Sequence, residues 1–332
     1  MLSRVADSLI WHSRYIERAE NLARLVAVSD HDSLDSATMM NRSTAPALYA
    51  AGAEQAYAEA LGVAEMDELE IGNFIAFSEL NPDSIRTCIA HARENARMVR
   101  DQISDDMWLE CNRFHLYVKS EKAMQLWKAH PDEFYNRVIK FCLLYQGLTD
   151  STILHDEGWH FVLLGRYLER VDKTSRIIDM LHATSNPDRA QLISVLSSCS
   201  GFSAFRTEYR GDINLENVVS FLLFSQSFPR SIRFCLRQLD DTLHAVSGMP
   251  NGSFSNEAER LTGSLLAKLN YTSLSSIWEQ GLHQFIDALQ SDLNEIGQQI
   301  FETYVLLAPD RDAPPVGAPI WQQYQQQQQQ QQ

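Results

Sequence analysis

Apolar residues recur three and four positions apart along most of this chain, and sustained strict alternation is missing. Residues 9–28, "LIWHSRYIERAENLARLVAV", show the pattern. At about 100° per residue, Trp11, Tyr15, Ile16, Ala19, Leu22, Ala23 and Val26 form one apolar arc, which predicts a core-facing stripe. Arg14, Glu17, Arg18, Asn21 and Arg24 line the opposite side, with Glu20 at its edge. Ten prolines and fourteen glycines leave long stretches without punctuation. The periodicity predicts helices over residues 4–28, 46–62, 66–79, 83–109, 111–129, 131–147, 150–183, 188–207, 214–226, 229–246, 255–270 and 273–306. The expected fold is all-α, a multi-helix bundle. The polar segment 29–46, "SDHDSLDSATMMNRSTAP", reads as a loop, and residues 308–332, rich in Pro and Gln, read as a disordered tail.

The helical pattern repeats. "SRYIERAENLARLVAV" (13–28) returns as "GRYLERVDKTSRIIDM" (165–180), matching Arg14 with Arg166, Tyr15 with Tyr167, Glu17 with Glu169, Arg18 with Arg170 and Arg24 with Arg176. "FIAFSELNPDSIRTCI", starting at Phe74, returns in the same order as "FLLFSQSFPRSIRFCL", starting at Phe221. We expect an internal two-fold duplication, with halves of about 1–130 and 150–250 and further helices over 255–306. Such halves either pair about a pseudo-two-fold axis with the repeated helices meeting there, or fold separately.

The repeated charges carry the candidate chemistry. A polar helix face is ordinarily solvated and decorated with weak ion pairs. Solvation demands only polarity, however, whereas both copies keep Arg at three sites and Glu at one; arginine's rigid fork suits carboxylate or phosphate pairing. A buried Arg/Glu network joining the halves and an anion-binding floor both meet that demand. The candidate residues are Arg14, Glu17, Arg18, Arg24, Arg166, Glu169, Arg170 and Arg176, with Arg233 from the second repeated segment. Arg86, Arg93, Arg97 and Arg100 form a stripe on the helix after Pro82; they require carboxylates such as Glu17 or Glu169, an anionic ligand, or solvent. Asn81 and Pro82 read as N-cap and first helical residue there.

Other chemistry is weakly signalled. His155, Asp156, Glu157 and His160 crowd "HDEGWH", but the histidines are five apart and point about 140° away from each other on a helix, so no metal is expected. No nucleophile elbow, phosphate loop or dinucleotide fingerprint occurs, which leaves the catalytic residues unknown and no cofactor expected. A net charge of -15 excludes a general nucleic-acid or anionic-membrane binder, which needs a basic footprint. Five well-separated cysteines, no signal peptide and no long apolar run point to the cytoplasm and away from the membrane.

The stretches "MLSRVADSLIWHSRYIERAENLARL", "NPDSIRTCIAHARENARMVRDQIS", "GLTDSTILHDEGWHFVLLGRYLERVDKTSRIID" and "FPRSIRFCL" resemble the bacterial alpha-E domain family, also known as domain of unknown function 403. The resemblance covers most of residues 1–250, with Glu17-Arg18, echoed by Glu169-Arg170, at the Glu-Arg pair that names the family. It implies an all-helical fold, here expected as one domain over 1–307, and no established reaction. It also implies association with circularly permuted ATP-grasp and transglutaminase-like proteins in a peptide- or amide-forming system. Three functions follow as expectations: an accessory subunit binding an anionic small molecule, an acidic peptide or a partner protein; an enzyme using the motif's carboxylates and arginines; or a purely structural scaffold.

Overall fold

A computed structural model describes residues 2–35, 45–61, 68–182 and 187–306. These form sixteen α-helices: α1 (Ser3–Asp35), α2 (Ala45–Ala51), α3 (Glu54–Leu61), α4 (Glu68–Ala76), α5 (Ile85–Met98), α6 (Asp105–Val118), α7 (Glu121–Ala129), α8 (Pro131–Thr152), α9 (Glu157–Asp179), α10 (Arg189–Ser198), α11 (Phe202–Glu208), α12 (Leu215–Phe224), α13 (Ile232–Ser247), α14 (Glu257–Tyr271), α15 (Leu274–Gln280) and α16 (Leu282–Phe301). A π-helical turn, Glu302–Leu306, follows. No strand occurs among the described residues. The expected tail at 308–332 and residues 36–44 of the expected loop at 29–46 lie outside them; α1 runs on into that expected loop, to Asp35.

Several long predicted helices are broken, and local geometry explains where. Gly52, at φ 69°, separates α2 from α3, and Gly281, at φ 98°, separates α15 from α16. Serines cap mid-segment starts: Ser104 accepts from Met107 N at 3.2 Å and Ser120 from Ala123 N at 3.4 Å. The N-cap expected at Asn81 lies three residues later, at Ser84, which accepts from Thr87 N. Asn81 is instead buried in the preceding turn, where its Oδ1 accepts from Asp83 N and its Nδ2 donates to Phe74 O.

The centre of the molecule is α1 packed against α9. α5 and α8 cover α1, α13 and α16 cover α9, and α14 packs across α13 and α16. The crossing of α1 and α9 is close: a Cβ on Gly165 would lie 2.2 Å from the Ile10 carbonyl oxygen, so only glycine fits. The repeated segments that lead into α5 and α13 bury matching positions, Phe74 with Phe221, Ile85 with Ile232 and Cys88 with Cys235. Each buried Phe or Ile contributes roughly 1.5–3 kcal/mol. Of the 23 residues in α9, 18 are buried, Arg166, Glu169, Arg170, Lys173 and Asp179 among them, so most of its charged face is enclosed too. Among the described residues no helix is long and apolar enough to cross a membrane.

Candidate functional site

The meeting of α1 and α9 puts two polar faces against each other. Glu17, Glu20 and Asn21 on α1 are 2%, 0% and 5% exposed, which overturns a solvated face for these residues. The neighbours are themselves charged helices, so the polar arc is buried against another polar arc instead of water. Pairing is reciprocal. Arg18 on α1 sends Nε to Glu169 Oε1 at 2.7 Å, and Arg170 on α9 approaches Glu17 Oε1 at 2.6 Å.

Each glutamate is the hub of a small network. Glu169 also accepts from Arg14 Nε at 2.9 Å and lies 3.6 Å from Lys173 Nζ, while Arg18 reaches Asp83 as well. Glu17 accepts from Gln146 Nε2 at 2.8 Å and lies 3.6 Å from Arg230 Nη1. Glu20 joins this second hub, accepting from Arg24 Nε at 2.9 Å, Arg230 Nη2 at 2.6 Å and Gln146 Nε2 at 2.9 Å. Asp172 pairs with Lys173 at 2.9 Å and with Arg176 Nε at 3.1 Å. Asn21 Oδ1 and Arg170 Nε are buried without a hydrogen-bond partner among the described residues, and both residues line a cavity of about 10 Å³, the size of one water.

The electrostatics favour ionised carboxylates. Burial alone would push the Glu169 carboxyl up, but Lys173, Arg14 and Arg18 outweigh it and hold the group well below the usual range. Glu20 is lowered in the same way, burial being overcome by Arg230, Arg24 and Arg170. Arg18 and Arg170 are raised, since Glu169 and Glu17 respectively outweigh their desolvation. Such carboxylates are poor general bases near neutral pH.

The network opens on one side. A cleft of about 430 Å³ between α1, α9, α16 and the π-helical turn is lined by Arg14, Arg18, Lys173 and Arg176, with Trp11 and Leu168 on its apolar wall. Arg14 gives Nε to Glu169, and Arg176 gives Nε to Asp172; among the described residues the terminal nitrogens of these two guanidinium groups make no hydrogen bond. Gly52 makes room for Arg176, whose Nη1 lies 3.3 Å from where a Cβ would stand. Trp11, expected in the core, is half-buried on the cleft wall with the Arg14 guanidinium 4.5 Å from its ring centroid. Across the cluster, Arg14, Arg18, Arg24, Arg170, Lys173, Arg176 and Arg230 face Glu17, Glu20, Asp83, Glu169 and Asp172, seven positive groups against five negative.

The remaining candidates lie elsewhere. Arg166 pairs with Asp150 at 3.1 Å. Arg86, Arg93, Arg97 and Arg100 do not reach Glu17 or Glu169. They form a partly solvated stripe paired with Glu79, Glu94 and Asp105, and Arg93 and Arg100 lie over the Trp108 ring. Arg233 is half-buried on α13 and has no ion pair among the described residues. In "HDEGWH", Asp156 caps α9 by accepting from Gly158 N at 2.9 Å, and His155 stacks on Trp159.

Sequence reasoning passed over Gln146, Lys173, Asp83 and Arg230, which with Asp172, the counterpart of Glu20 in the repeat, complete the hubs; Arg230 and Asp83 follow the paired prolines Pro229 and Pro82, a signal available in the repeat. It also passed over Asp179, His283 and Asp287, whose ligand-type atoms lie within 4.8 Å of one another. His283 Nδ1 lies 2.8 Å from Asp179 Oδ1 and Nε2 lies 3.3 Å from Asp287 Oδ2, while Tyr49 donates to Asp179 Oδ2 at 2.5 Å. Both ring nitrogens face carboxylates, an arrangement suited to an imidazolium clamp between α9 and α16.

The fold and this clasp define an all-helical protein centred on paired Glu-Arg dipeptides. The chain belongs to the Alpha-E family, whose model, described as a predicted alpha-helical domain with a conserved ER motif, matches residues 1–305. It is similar to an uncharacterised protein of Mycobacterium bovis and one of Mycobacterium tuberculosis, each 26% identical over 312 residues, covering 88% of this chain and 34% of the relative. The chain thus spans about a third of the length of these relatives. No solved structure matches it.

Proposed function

We propose that this alpha-E protein is a non-catalytic binding module of an ATP-grasp-associated peptide- or amide-forming system, in which it receives a carboxylate or phosphate group in the cleft beside the ER clasp. The reciprocal Glu17–Arg170 and Arg18–Glu169 pairs serve as a strut between two duplicated halves of one all-helical domain. The rim of the cleft, with Arg14, Lys173 and Arg176, holds the ligand. One observation carries this reading: a cluster with two more positive than negative groups, in a chain of net charge -15, opens into a cleft where two arginines keep their terminal nitrogens unpaired among the described residues. The lowered carboxyls of Glu169 and Glu20 weigh against an enzyme that uses them as bases.

The ATP-grasp and transglutaminase-like partners rest on the family resemblance. The matched region's being a third of its relatives supports a module that works beside other domains. Five cysteines, all buried as free thiols, support a cytoplasmic setting.

The test is a thermal-shift screen of the chain against phosphate, ATP, ADP, glutamate and short acidic peptides, repeated on Arg14→Ala and Arg176→Ala. A ligand at one hundred times its dissociation constant adds about 2.7 kcal/mol of apparent stability. Stabilisation of the parent that is lost in both variants is the expected result. Equal stabilisation of parent and variants, or none with any anion, counts against the reading.

A further inference from the structure

The cleft has a second, oppositely charged end. Asp7 lines it one turn before Trp11 and two turns before Arg14, so Asp7, Trp11, Arg14 and Arg18 form a single stripe along α1. Asp7 differs from the acids of the clasp: among the described residues it has no ion-pair partner, and the Trp11 indole stands one turn further along the same stripe. Partial burial, opposed by the Trp11 indole, raises its pKa, as for a carboxylate lacking a compensating charge.

The cleft therefore offers an uncompensated acceptor at one end and under-used guanidinium donors at the other, with the Trp11 ring between them. Seven residues of helix separate Asp7 from Arg14, a rise of about 10 Å. An extended chain spans about 3.3–3.6 Å per residue, so three residues cover the same distance. We propose that the ligand of this cleft is a short unblocked peptide of about three residues, with its α-ammonium at Asp7 and its α-carboxylate at Arg14. This rests on the cleft being an anion site and adds to it the cationic end and the length.

A mononucleotide or inorganic phosphate would use the arginine end and leave Asp7 facing an anion. A zwitterion pairs both ends, and its backbone lies along an indole face and apolar side chains that need no charge partner. No covalent step is involved, since the carboxylates of the clasp are held ionised and paired.

The experiment is calorimetric titration of the 332-residue chain with di-, tri- and penta-alanine, N-acetyl-trialanine, trialanine amide and inorganic phosphate, on the parent and on Asp7→Asn. The expected result is tightest binding of trialanine, with acetylation or amidation each weakening it by at least about tenfold, the scale of one charge-assisted contact. In Asp7→Asn, trialanine should fall to the affinity of its acetylated form while phosphate binds no more weakly than in the parent. Acetyl-trialanine binding as tightly as trialanine, or phosphate binding without any peptide binding, overturns the peptide assignment and leaves the anion site standing. Binding of neither phosphate nor any probe with a free carboxylate overturns the anion site, and the peptide assignment with it.

Discussion

Glu169 is the residue on which most of the clasp depends. It is fully buried, and its removal leaves Arg14 without a counter-charge and takes one of two acidic partners from each of Arg18 and Lys173. Glu169→Ala should destabilise by about 3–5 kcal/mol in chemical denaturation, the cost of uncompensated buried charge. Its pH dependence has a definite sign. A carboxyl lowered in the folded state contributes stability that is present above its unfolded pKa, about 4.3, and is lost as pH falls through the folded value. Melting temperature should therefore fall as pH drops below about 4, and Glu169→Gln, destabilised throughout, should show a shallower fall in that window; an unchanged slope would remove Glu169 from the clasp. At this scale the sequence showed which residues are special, since Arg and Glu recur at matched sites. Which atom meets which was invisible, because hubs such as Gln146–Glu17 join residues 129 positions apart.

Two contacts between helices make sharp tests. At the α1–α9 crossing, Gly165→Ala would drive a methyl into the Ile10 carbonyl, and since both elements are backbone, neither can swing away. A loss of about 3 kcal/mol or a failure to fold is expected, at the upper end of overpacking costs; wild-type stability would mean that the helices cross further apart. Between α9 and α16, the hydrogen bond to Asp179 raises the His283 pKa. A raised histidine contributes stability that is full below its unfolded pKa, about 6.5, and lost as pH rises through the folded value. The parent should thus lose stability from neutral to mildly alkaline pH, and His283→Ala should lack that loss; identical profiles would show the clamp to be idle. Helix existence was legible from apolar spacing, and α12 and α13 were found close to their places, whereas the helix expected over 150–183 starts only at Glu157, after α8 has run on to Thr152. Boundaries at Gly52, Ser104, Ser120 and Gly281 were not, because periodicity continues across a break that only a cap or a positive φ creates.

In the whole molecule, the reciprocal pairs predict that α1 and α9, with the helices packed on each, unfold together. Arg18→Ala and Arg170→Ala, one on each of the matched helices, should destabilise by similar amounts, about 3–5 kcal/mol each, because each takes a buried cation from the opposite helix's glutamate, leaving Glu169 with Arg14 and Lys173 and Glu17 with Arg230. The parent should unfold in a single calorimetric transition. Two resolved transitions, or sharply unequal losses, would mean that α1 and α9 are not coupled. The amino-acid sequence alone determined the helical class and the set of arginines and glutamates worth attention, because helical periodicity and matched residue types are local properties of the chain. Whether the repeated polar faces meet water, a ligand or each other was decided only in three dimensions. Burial is a property of what packs against a face, and here a glycine-spaced crossing brings two charged arcs together and leaves the cleft beside them open.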